Sequence, residues 1–420
     1  MFRVRQQFDR PLVEDIAQTV RDELQKLDLA EHVRSGDTVA ITVGSRGIAN
    51  LATVVKTIVE TFKEHDAVPF IVPAMGSHGG GTAEGQRQIV EGYGMTEDFL
   101  GCEIRSSMET VIVAETPYGV PVHFDKNAYE ADHVLVCNRV KPHTRFVGDI
   151  ESGLHKMMLI GLGKHAGAKI YHQAIHNHTF AEIIHAVAEQ VLEKCSVIGG
   201  LAIVENAYDE TGVIEAILPD QFYERESALC RLSKEWLPRL PFSDVDVLII
   251  DQMGKNISGT GIDTNIVGRK YNDHEAREGD SVRVKRIFVR SLTEETHGNA
   301  TGIGIAEFTN NRTIAQVDRE ITAINCITGG HPEGAMLPIA FETDEAALHA
   351  ACSTVGLKAP AELRVIQIPD TLHLAEVLVS EAYLGEMRGR DDLEVLNDPE
   401  PIEFDGNRNL FDTSDQFVRA

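Results

Sequence analysis

The feature that most constrains this chain is a repeated pairing. Short apolar or β-branched runs are each followed by a loop that sets a cation, an imidazole or an amide beside glycine or proline. Residues 38–43 lead into Gly44-Ser45-Arg46-Gly47, and residues 68–72 lead to Gly76-Ser77-His78-Gly79-Gly80-Gly81. Residues 134–137 precede Lys141-Pro142-His143-Thr144-Arg145, and residues 245–250 precede Asp251-Gln252-Met253-Gly254-Lys255-Asn256. Other stretches repeat apolar residues at helical spacing: Leu12, Ile16, Val20 and Leu24, then 51–62 and 180–192. Strands alternating with helices predict an α/β fold with mainly parallel sheets. In such sheets ligands bind beyond the carboxyl ends of the strands, so these four loops are the expected site.

A chain of 420 residues has room for two or three domains. Pro238 and Pro241 interrupt the helical pattern within 234–243. The expected division is an N-terminal α/β domain over 1–240, a C-terminal α/β domain over 244–398, and an active-site cleft between them. Residues 111–124, with Pro117-Tyr118-Gly119, predict a hairpin, and 197–204 a further buried strand. In the second domain 282–289 and 363–368 are strand candidates, with helices over 317–326 and 345–352. The polar tail, 399–420, is expected to pack back on the first domain or to stay loose.

Charge narrows the partners. With 39 basic against 65 acidic residues the net charge is −26, which repels nucleic acid and anionic membrane. An anionic substrate then needs a local group of cations. The six cysteines show no Cys-x-x-Cys spacing and fit a reducing compartment. Residues 1–7 lack the apolar run of a signal peptide, and nothing approaches a membrane span, so a cytoplasmic protein is expected.

Each motif has a competing structural explanation. The glycines around His78 would let the backbone approach an anion or bring the imidazole to a substrate, yet a surface loop with an incidental histidine has the same composition. His143 lies between Lys141 and Arg145, whose charges favour a neutral imidazole able to act as a base, unless this is only a solvated basic turn. From Ser152 to His178 the chain carries His155, His165, His172, His176 and His178 with Lys156, Lys164 and Lys169. His172 and His176 would share a helix face, a spacing open to a transition metal, although two histidines do not close a site. Gly302-Ile303-Gly304 lacks a preceding strand, and no Gly-x-Ser-x-Gly elbow is present.

In this order the motifs resemble the nickel-dependent lactate racemase family, from about Thr42 to Lys255. The resemblance implies a racemase or epimerase of a small hydroxy acid. It also implies a nickel-pincer nucleotide (nickel pyridinium-3,5-bisthiocarboxylic acid mononucleotide) bound covalently through a lysine. His78 and His143 look like the two acid/base histidines, and Lys156 in Ser-Gly-Leu-His-Lys like the tether, with Lys164 as a rival. His172, sixteen positions after Lys156, looks like the nickel ligand. Arg46 resembles a cofactor- and substrate-binding arginine, and Gln252 and Lys255 a substrate-orienting pair. Proteins of cofactor biosynthesis would be partners, and a homo-oligomer is compatible. The family's Asp-x-Thr-Arg loop is replaced by Gly44-Ser45-Arg46, and its Ser-Gly-Gly stretch by Ser152-Gly153-Leu154-His155. These departures point to a divergent member acting on another hydroxy acid, such as a larger sugar acid. The alternatives are a metal- or NAD-dependent enzyme of another class on this fold, or a non-catalytic protein that binds a hydroxy acid or the cofactor.

Overall fold

A computed structural model describes residues 1–413. The described chain forms two compact units: residues 9–237, and residues 1–8 together with 238–413. The fold is α/β with mainly parallel sheets, as the alternation predicts.

In the N-terminal unit a five-stranded sheet runs Val68–Pro73, Thr38–Val43, His133–Arg139, Val197–Glu205, Thr211–Ile217 from edge to edge. The first four are parallel and the last is antiparallel. Val39, Ile41 and Val43 face one apolar core with the helices Ile16–Gln25 and Leu51–Glu64, while Ala40 and Val134 join a second core with Phe180–Lys194. A parallel sheet covered on both faces needs such near-continuous apolar strands. The expected hairpin is present as Thr110–Glu115 and Pro121–Asp125, paired antiparallel with a bulge. The strand Thr211–Ile217 and the helix Phe222–Glu235 are additional to the expected elements.

The C-terminal unit has an eight-stranded sheet. Its parallel part holds Asp244–Ile250, Arg283–Val289, Val365–Ile368 and two short strands, Phe308–Asn310 and Ile339–Phe341. Phe2–Gln6 pairs antiparallel with Glu376–Val379 and Leu393–Val395, so the first residues of the chain complete the second sheet. The tail differs from expectation as well. Its described part docks on the C-terminal unit, where Thr413 donates to Asp251 from its N–H at 2.6 Å and its Oγ1 at 2.8 Å. Arg290 is the reason: its guanidinium is buried against Asp251 at 2.6 Å and Asp344 at 3.0 Å, and donates to Leu410 O and Asp412. Residues 414–420 lie outside the described part. Among the described residues no helix is long and apolar enough to cross a membrane.

Arg290→Met would leave the buried Asp251 without its arginine and the buried Asp344 with Arg312 alone, which costs about 3–5 kcal/mol. Urea unfolding of the full chain should show that loss; an unchanged midpoint would deny the network its structural role.

Candidate active site at the strand ends of the N-terminal unit

Three neighbouring parallel strands end on the same edge of the N-terminal sheet. Thr38–Val43 is central, with Val68–Pro73 on one side and His133–Arg139 on the other. Their loops therefore emerge side by side, carrying Ser45 and Arg46, then His78, then Lys141 and His143. The two outer strand ends stand roughly 10 Å apart, two inter-strand spacings, with the Arg46 loop between them.

His78 is exposed on a loop whose glycines are required by shape. Gly79, Gly80 and Gly81 have φ of 65°, 67° and 66°, in the left-handed region. A Cβ on Gly79 would lie 2.6 Å from the carbonyl carbon of Gly85, because the loop folds tightly onto the helix Ala83–Gly92. His78 Nδ1 is hydrogen-bonded to Ser45 Oγ across the two loops. Tyr93 OH donates to Ser45 O at 2.8 Å and fixes that turn. His143 is held by its own turn: Arg145 N–H donates to its Nδ1 at 3.0 Å and Phe146 N–H at 3.2 Å. Its ring stacks on Phe146 with centroids 4.2 Å apart, and Phe146 stacks on Phe180 at 3.9 Å.

Lys156 ends a short helical turn, Leu154–Lys156, which continues as a π-helical turn through Met157–Gly161. Such turns recur at functional sites because they displace the side chains around them. Glu226 is buried at the start of this turn: it accepts from His155 N–H at 3.0 Å and pairs with His155 Nδ1 at 2.6 Å. Its approach needs Gly153, where a Cβ would fall 2.2 Å from Glu226 Oε1. Burial, then the charges of Arg46 and Lys141, push the Lys156 amine down to about 7. Arg46 is itself lowered by burial, and Arg139 adds to that while Tyr93 opposes it. The cations acting on Lys156 are thus Arg46 and Lys141, while Arg139, which acts on Arg46, is ion-paired with Glu205.

His172 lies near the end of the helix Lys164–Ala174. Burial, then Lys156 and His176, hold its imidazole down to about 4, so it is neutral at physiological pH. Its Nδ1 is buried and has no hydrogen-bond partner among the described residues. The helix stops at Ala174, so His176 sits exposed in the following turn and does not share a helix face with His172. No group of three or more His, Cys, Asp or Glu side chains converges among the described residues. A metal at His172 would take its other ligands from a cofactor.

The rival lysine is differently employed. Lys164 is fully buried, ion-paired with Asp125 at 3.1 Å, and donates to Pro73 O and to Gln86 Oε1 at 3.2 Å. With three oxygens around it, this amine has a structural position. Gln252 and Lys255 lie in the C-terminal unit: Gln252 is exposed, and Lys255 Nζ donates to Asn325 Oδ1 at 3.0 Å. Ser45, Gln86, Asp125 and Glu226 were not among the residues expected from sequence. Each acts through a partner distant in the chain, which spacing cannot reveal.

A depressed lysine has a chemical signature. The neutral amine fraction grows as pH rises through about 7, whereas ordinary lysines require about pH 10. Between those values the unfolded chain binds the extra proton at Lys156, so this group adds stability as pH rises across that window. Acylation by dilute anhydride, mapped by peptide mass, should be fastest at Lys156 near pH 7.5 and half-maximal near its lowered pKa. Uniform labelling of all lysines would contradict the burial and cation argument.

Comparison with known proteins bears on this geometry. Residues 5–189 match the family described as the lactate racemase N-terminal domain. The lactate racemase apoprotein from Thermoanaerobacterium thermosaccharolyticum superposes with a TM-score of 0.53 at 14% identity, over 86% of this chain and 93% of that one. A protein from Thermotoga maritima gives the same TM-score at 12% identity, over 88% of this chain and 99% of that one. At these identities the likeness shows a shared fold. No curated protein matches the sequence. Residues 5–189 of this chain are thus similar to the lactate racemase N-terminal domain, on a fold shared with the lactate racemase apoprotein.

Proposed function

We propose that this chain inverts a hydroxyl-bearing carbon of a small hydroxy acid, with a nickel-pincer nucleotide as its cofactor. The observation that carries this is the Lys156 amine, pushed to about 7 inside a group of cations, with the orphaned Nδ1 of His172 near enough to feel its charge. A neutral buried amine is the form that attacks an acyl or thioacyl carbon. A neutral imidazole with a bare, desolvated nitrogen is the form that ligates nickel. The donor set therefore fits the group, with Lys156 as tether and His172 as the protein ligand. When bound, the cofactor supplies an acceptor for the carbinol hydride, a sink that no side chain provides.

The remaining residues bind and move protons. Arg46 holds the substrate carboxylate by charge-assisted hydrogen bonds, and Lys141 adds to the field. His78 and His143, on either side of the Arg46 strand, serve the hydroxyl oxygen as proton acceptor and donor. Gln252 and Lys255 keep the substrate-orienting role that the resemblance gives them. The changed loop at Gly44-Ser45-Arg46 favours a hydroxy acid other than lactate, with sugar acids included. Proteins that build and load the cofactor are the implied partners, and the cytoplasm the implied compartment.

Chain produced with the cofactor pathway should convert one enantiomer of a hydroxy acid deuterated at the reacting carbon into the other, with the deuterium retained. Washout of the label into solvent would replace hydride transfer by proton abstraction, and no inversion of any hydroxy acid would sink the reading. His172→Ala should lose most bound nickel by elemental analysis. His78→Ala should keep the nickel and lose turnover by at least about a hundredfold, the scale of a missing general base.

A further inference from the structure

Lys156 directly follows a buried pair that the proposed chemistry leaves unused. Glu226, wholly out of solvent on the helix Phe222–Glu235, accepts from His155 N–H at 3.0 Å and from His155 Nδ1 at 2.6 Å. The His155 ring is buried as well, and His185 meets it edge-on with centroids 5.8 Å apart.

The turn that carries Lys156 cannot hold itself. Leu154–Lys156 is three residues long, and a first helical turn fixes several dihedrals for one hydrogen bond. Its leading N–H groups have no partner within the helix, and Gly153, in the capping place, has no side chain to offer one. Glu226 takes over that role for His155 N–H from 71 residues away. Gly153 O in turn accepts from Met157 N–H at 2.9 Å and from Asn138 Nδ2 at 3.0 Å, which ties the turn to the strand His133–Arg139.

Successive side chains of a helix point about 100° apart, so two fixed neighbours decide where the third one goes. Leu154 is buried against the sheet, where a Cβ on Gly200 would lie 2.5 Å from its Cδ1. His155 is turned to Glu226. Lys156 then leaves on the remaining side, where the charges that act on it are those of Arg46 and Lys141. The influence of Glu226 on the amine therefore passes through the shape of the turn.

We infer that Glu226 is a positioning residue for Lys156: by gripping both the backbone and the ring of His155 it fixes the rotation of the turn and so aims the amine at the Arg46 and Lys141 loops. This rests on the tethering role proposed above, but the aim of the side chain is open to test without the cofactor.

Replacing a buried pair by apolar residues of similar volume is often neutral for stability, whereas removing one partner is not. The double variant His155→Leu/Glu226→Met is therefore compared with the wild type as full chains without cofactor. Acylation of Lys156 by dilute acetic anhydride at about pH 7.5 should fall at least about tenfold, because an amine released to water is almost wholly protonated there. The urea midpoint should hold and the buried Lys164 should stay unlabelled, which a general loosening of the unit would not allow. Gly153→Ala, which crowds Glu226 Oε1 while keeping both partners, should show the same loss. Glu226→Gln keeps an oxygen for His155 N–H and should stay within about threefold of the wild type. Wild-type labelling of Lys156 in the double variant or in Gly153→Ala would overturn the inference. In cells that supply the cofactor, the mass adduct at Lys156 should fall in the same two variants. A wild-type chain that never acquires the adduct would count against the tether, and the acylation rates would still decide the positioning.

Discussion

One buried cation ties the site together. Lys164, wholly out of solvent, binds Pro73 O at the end of a strand, Gln86 Oε1 on the helix behind the glycine loop, and Asp125 on the hairpin. Gln86 then donates to Gly76 O at 2.9 Å and to His78 O at 3.2 Å. The helix that Lys164 opens carries His172 eight residues on. Burial works against both charges, lowering Lys164 and raising Asp125, so the pair persists through the oxygens that surround it. Such a pair contributes little net stability over an apolar replacement, but removing one partner is severe. Its effect is to specify position. The loop of His78 and the helix of His172 share one anchor, although they come from different crossovers.

The same desolvation acts on Lys164 and on Lys156. Lys164 has a carboxylate beside it; the charges that act on Lys156 are Arg46 and Lys141, and like charges add to the burial effect. Two lysines eight positions apart thus diverge in role through their neighbours alone. The overall charge of −26 does not reach into this region, because field at such a site is set by groups within a few ångströms.

The parts legible in the sequence were those governed by local rules. Strand runs at 38–43 and 68–72 and helices such as Phe180–Lys194 follow from periodicity, and the loops after them follow from the strand-end rule. What escaped were long-range pairings. Phe2–Gln6 is a good strand with no local sign that it completes a sheet built mostly from residues beyond 240. The tail was expected to pack on the first domain or to stay loose, and the contact of its described part with Arg290 escaped because that anchor is 120 residues away. His176 was paired with His172 by counting, but the helix ends between them. Ser45 was visible only as part of a turn; that its hydroxyl meets His78 depends on two parallel strands placing their loops together.

Burial pushes Lys156 and His172 each toward the neutral form, and a charged Lys156 lowers His172 further. In the function proposed above, a charged amine would not form the tether and a protonated imidazole would not ligate nickel, so one physical cause would prepare both groups. The cost is that a buried imidazole nitrogen is left without a hydrogen bond. An orphaned polar atom inside a well-packed unit persists when something outside the polypeptide satisfies it. Among the described residues no group of three or more His, Cys, Asp or Glu converges, so in the proposed function the rest of the coordination sphere would come from the bound group, and the protein would contribute a tether, one nitrogen and the field around them.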